Sequence, residues 1–257
     1  MFNTSSANLF KTFGPGILFA STAIGVSHLV QSTKAGALFG FGLLWAVILA
    51  NLLKYPFFEF GSRYANATGK SIIDGYLKLG KWAIWSYFLI TIGSMFFVCA
   101  AVGKVTTGFM QNLFHLKEFG WGNISSTLLI FSICGGILII GKFKALDQII
   151  KVVGIILLLS TLSAFIICIY NGPINNQSIV LFDMAIGPEA IAFIIPLMGW
   201  MPTAVDLSTW NSLWTIEKIK TSGYHPKLKE TLFDFNLGYI TSALLSICFI
   251  TLGAFLI

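Results

Sequence analysis

Charge is what this 257-residue chain has least of: Asp, Glu, Lys and Arg together make up only 10% of it. Soluble domains carry about 25%, so an ordinary water-facing surface is excluded. Polar linkers and low-complexity tracts are missing too, and no segment reads as a separate soluble domain. Cysteine is sparse, with Cys99, Cys134, Cys168 and Cys248 standing singly in apolar runs. Without a CxxC pair or zinc-ligand spacing they read as packing residues. A cleavable leader is not evident, because the first apolar run opens with Gly14, Pro15 and Gly16 and continues as a span. Gly69-Lys70-Ser71 looks like the tail of a phosphate loop, but the glycine required five residues earlier is Tyr64. With no nucleophile–base pair, nucleotide loop or cofactor motif, neither an enzyme nor a resident cofactor is expected.

Apolar residues are what the chain has in abundance, at 56% of the total, with a mean hydropathy of +0.84. Runs near the length that crosses a bilayer fall at 13–33, 38–60, 82–112, 124–141, 148–170, 188–214 and 231–257. The expectation is an all-α, multi-pass membrane protein, a single transmembrane domain over 1–257 whose partner is the lipid bilayer. The net charge of +6 does not imply nucleic acid, because the cations sit in short loops and form no basic stripe. Placing the N-terminus in the cytoplasm puts thirteen of the 16 Lys and Arg inside, Lys54 and Arg63 among them. Lys34 and Lys117 then lie outside and Lys104 falls within a span. That asymmetry predicts a cytoplasmic N-terminus in a bacterial inner or plasma membrane.

Two spans are interrupted. The sixth, IIPLMGWMPTAVDLSTWNSLW from Ile194 to Trp214, carries Gly199, Pro202, Thr203 and Asp206 in its middle. The first carries Gly25, Ser27 and His28. Proline removes a backbone donor and glycine loosens the chain. A break in hydrocarbon survives only inside protein or beside a water-filled cavity. Five spans separate the two starts, an odd number that inverts the direction of crossing. Paired broken helices related in this way build the solute site of inverted-repeat transporters. Residues 13–170 then form a first five-helix repeat and 188–257 the start of a second. The chain stops inside an apolar run at Leu256 and Ile257. A truncated or split form of a longer transporter is expected, with missing C-terminal helices or a homo-oligomer covering the open faces.

The motifs resemble a known family. Gly14-Pro15-Gly16, Ala35-Gly36-Ala37, Leu43-Leu44-Trp45, Arg63 followed by Thr68-Gly69-Lys70, and Met201-Pro202 stand in the order and spacing found in the N-terminal portion of the Nramp divalent-metal transporters. The resemblance extends over essentially the whole chain. It implies a LeuT-like inverted-repeat fold, incomplete here, with discontinuous first and sixth helices. It also implies proton-linked import of a divalent metal such as manganese or iron, as substrate, held between the two breaks. Carried over residue by residue, the family's first-helix Asp-Pro-Gly-Asn falls on Gly25, Val26, Ser27 and His28. The metal-binding carboxylate is thus a glycine and the asparagine a histidine. Met201 keeps the metal-contacting methionine, Met198 falls where the family offers a backbone carbonyl, and Thr203 replaces the histidine after Met-Pro. The third helix has Cys99 and Val102 in place of acidic residues, with Lys104 close by.

Each candidate has a plainer reading. Met201 is a soft ligand for a transition metal or a packing residue. Buried in mid-membrane, His28 is a metal ligand or proton carrier, or simply hydrogen-bonded to a carbonyl. Asp206 restores negative charge to the site, caps a helix, or pairs with a lysine. Lys104 forms an ion pair with Asp206, replaces a coupling cation, or snorkels to the surface. Pro202 and Thr203 complete the gating segment. The leading expectation is alternating-access transport of a cation, most simply a divalent transition metal. His28 and Met201 would supply side-chain ligands, and Gly25 and Met198 backbone carbonyls. A small polar organic solute on the same scaffold, or a non-transporting membrane subunit, are the alternatives.

Overall fold

A computed structural model of the chain describes residues 13–174 and 187–256. Every regular element among the described residues is helical. The first expected span is α1 (Pro15–Ala23), a π-helical turn (Val26–Ser32) and α2 (Thr33–Phe39). Then follow α3 (Leu44–Thr68), the short α4 (Ile72–Leu79) and α5 (Lys81–Leu113). Next come α6 (Asn123–Phe143) and α7 (Ala145–Asn171), separated at Lys142, whose φ of 48° leaves the helical region. The sixth expected span is α8 (Pro188–Trp200) and α9 (Leu207–Ser222), and α10 (Leu228–Leu256) is the seventh.

Four of these helices, α5, α6, α7 and α10, are long and apolar enough to cross a membrane. The protein is therefore a helical membrane protein. The first and sixth expected spans consist of short helices because their breaks are real. Pro15 and Pro188 start α1 and α8 where a proline's missing N–H costs nothing.

The chain packs as two compact units, one holding residues up to Gly75 and from Ile150 on, the other Tyr76–Ile149. In the first unit, α10 is the central post. A Cβ on Gly16 would land on the Asp234 carbonyl, and one on Gly238 on the Gly16 carbonyl. Likewise Gly36 abuts the Ile250 carbonyl and Gly253 that of Thr33. These contacts are the close backbone approach that small residues permit between membrane helices. Phe19 stacks on Tyr239 and meets Phe58 in a T-shaped contact, with ring centroids 5.6 and 5.4 Å away, and Phe235 closes the cluster.

Polar ties hold α3 to α9 and α10. The Asn211 amide donates to Ser62 Oγ at 2.7 Å, and Asn66 Nδ2 donates to the Pro226 carbonyl and Thr231 Oγ1, each at 2.9 Å. The start of α4 is capped by Asp74, whose Oδ2 accepts from the Ser71 amide at 2.9 Å and the Ser71 hydroxyl at 2.8 Å. In the second unit, Thr107 and Thr127 bond through their hydroxyls at 2.8 Å, and Gln111 donates to Ser126 Oγ. Phe97, Ile139 and Ile140 leave large apolar side chains open there, as a lipid-facing surface does.

Candidate functional site

The two interruptions meet in the first unit. At Gly25 (φ −128°, ψ −132°) the backbone leaves α1 and enters the π-helical turn, placing Ser27 and His28 in the interior. The second break runs from Met201 to Asp206, opening with a cis Met201–Pro202 peptide. Ser27 Oγ lies 2.7 Å from the Ala23 carbonyl oxygen, 3.0 Å from that of Pro202 and 2.8 Å from His28 Nδ1. His28 Nε2 lies 2.9 Å from the Ser242 carbonyl oxygen on α10. A carbonyl only accepts, so Nε2 carries a hydrogen. When Nδ1 is bare, the Ser27 hydroxyl donates to it. When Nδ1 is protonated it donates to Ser27 Oγ, whose own hydrogen then turns to Pro202 or Ala23. His28 is fully buried, in a T-shaped contact with the Phe249 ring.

The sequence-predicted residues divide around this bridge. Pro202 contributes its carbonyl, and Thr203 is buried next to it. Gly25 directs its carbonyl into the chain, where the amides of His28 and Leu29 donate to it at 3.2 and 2.9 Å. Met201 is fully buried, but in an apolar cluster with Ala35, Leu43, Val47, Leu197 and Ile250. Asp206 stands at the N-cap of α9, half-buried, with its carbonyl accepting from Thr209 and Trp210. A carboxylate there meets the positive end of the helix dipole. Lys104 belongs to the second unit, where it is exposed in a groove of about 630 Å³ between α5 and α6.

Two contacts escaped the sequence reading. Counted above among the cations of the cytoplasmic side, Lys54 lies within α3, and its Nζ donates to the carbonyls of Met198 and Gly199 at 2.6 and 2.8 Å. The signal was present: a lysine nearly three turns into α3, within a largely apolar run, is expensive unless paired. Asp234, inside the seventh expected span, accepts from the amides of Gly14 and Gly16 at 3.3 and 2.7 Å. A carboxylate thereby caps the entrance to α1.

The chain is 37% identical over 251 residues to an uncharacterized protein of Pasteurella multocida, an alignment covering 95% of this chain and 56% of that protein. It thus spans about half the length of the curated relative it matches. No family model matches the chain. No solved structure matches it.

Proposed function

We propose that this chain belongs to a secondary transporter of Nramp-like, LeuT-type architecture that moves a small polar solute by alternating access. The observation that carries the reading is the meeting of the two breaks at Ser27, His28 and the Pro202 carbonyl. Inverted-repeat transporters place their solute at such a junction, where freed backbone groups and half-helix ends face a cavity. In this reading residues 13–170 supply the first repeat and 188–257 the start of the second.

The cargo follows from the charges. The buried polar side chains at the junction are Ser27, His28, Ser242 and Thr203, none of them a carboxylate. The carbonyls just before the second break are already held by a lysine ammonium. A further unit positive charge at about 4 Å from that ammonium would be opposed by roughly 4 kcal/mol at an effective dielectric of 20, and a divalent ion by about twice that. A hydroxylated, zwitterionic or carboxylate-bearing solute meets no such barrier.

The divalent-metal cargo implied by the family resemblance is the second reading. Met201, a soft ligand fully buried at the first residue of the break, favours it. Manganese and cadmium flux into proteoliposomes, run beside a thermal-shift panel of amino acids, hydroxy acids and polyols, separates the two. We expect stabilisation by an organic solute and no metal flux. Metal uptake that Met201→Ala abolishes would overturn the solute reading.

A further inference from the structure

The last four carbonyls of an α-helix have no intrahelical partner and carry the negative end of the helix dipole. In α8, which ends at Trp200, Met198 and Gly199 contribute two of them. In a membrane interior they must be satisfied. A single atom, Lys54 Nζ, satisfies both, at distances typical of strong charge-assisted hydrogen bonds. The two oxygens therefore converge on one point, and a positive charge already occupies it.

We propose that Lys54 is a tethered cation filling a monovalent-cation site formed by the Met198 and Gly199 carbonyls. The protein then needs no dissolved cation at this point. A Lys54→Ala protein has an empty site that takes a free ammonium or potassium ion, because an ammonium group and a potassium ion are close in size and both are coordinated by carbonyl oxygens. The inference stands apart from the transport reading, since it concerns binding by the chain itself whatever is carried.

The test uses the full 257-residue chain, purified in detergent with N-methylglucamine as the only bulk cation. The atoms lost in Lys54→Ala are those of n-propylammonium. Lys54→Ala is expected to unfold about 10 °C below wild type, the scale set by two lost charge-assisted bonds in a chain of this size. Titrated n-propylammonium should recover most of that loss saturably, and potassium part of it, whereas wild type should respond to neither. Propan-1-ol has nearly the same shape without the charge and should recover nothing. Recovery by the alcohol equal to that by the amine would show a packing defect and overturn the proposal. So would a folded Lys54→Ala protein indifferent to both cations, or a wild type that gains as much. If Lys54→Ala yields no folded protein, Lys54→Arg decides. Wild-type stability without cation response supports the tethered charge, and a loss equal to that of Lys54→Met refutes it.

Discussion

Removing one oxygen atom should loosen the junction of the two breaks. Ser27→Ala deletes the hydroxyl that stands within 3.0 Å of His28 Nδ1 and the Ala23 and Pro202 carbonyls while leaving the shape of the site nearly unchanged. The hydroxyl has one hydrogen to give, so its loss removes one strong bond and leaves a buried partner unpaired. An unpaired buried group costs about 1–3 kcal/mol. Hydrogen bonds between membrane helices average only about 0.6 kcal/mol, because the loosened helices find other partners. Together these set an expected loss of about 1–2 kcal/mol. The share belonging to the Ser27–His28 contact is isolated by a double-mutant cycle with His28→Leu, which removes the ring nitrogens but keeps the site filled. Reversible unfolding of the four proteins in mixed detergent micelles should give a coupling energy of about 1 kcal/mol. Coupling inside the additivity error of about 0.3–0.5 kcal/mol would mean that the hydroxyl and the imidazole do not depend on each other, and the bridge between the breaks would be refuted.

Two other perturbations follow from particular contacts. Gly16→Ala should cost at least about 3 kcal/mol, the upper end of overpacking penalties, because its Cβ meets the backbone of Asp234 and not a side chain that can turn away. Gly25→Ala should cost less than Gly16→Ala, since the nearest neighbour of its Cβ would be the Thr22 carbonyl at 3.7 Å. Equal losses at the two glycines, measured in the same micelles, would contradict the packing of α1 on α10. At the start of α4, the Ser71 hydroxyl and amide hold the Asp74 carboxyl below its ordinary value of 3.8. A lowered carboxylate stabilises the fold above that ordinary value and loses its contribution as pH falls through the folded one. Asp74→Asn should therefore be less stable than wild type at neutral pH, with the gap closing below pH 3.8; a gap that persists in acid would reassign the effect to shape.

The positions of the helices and of their interruptions were legible in the sequence because their causes are local. Apolar runs of bilayer length became α5, α6, α7 and α10, and Gly25 and Pro202 each mark a point where an α-helical ladder fails. Gly16 and Gly36, which carried the family resemblance as motif letters, are places where two backbones touch. What the breaks do with their freed groups is decided by residues far away in the chain. Ser242 reaches His28 across 214 positions, Asp234 reaches Gly16 across 218, and Lys54 reaches Met198 across 144. A periodicity or a local motif gives no information at those separations. Sequence alone therefore counts Lys54 only as a cation of the cytoplasmic side and offers Met201 as a ligand with His28, whereas packing encloses Met201 among apolar side chains and carries the lysine to the end of α8. Local chemistry determined where the chain must break, and only the tertiary packing of α3 and α10 against those breaks decided which side chain answers each exposed backbone group.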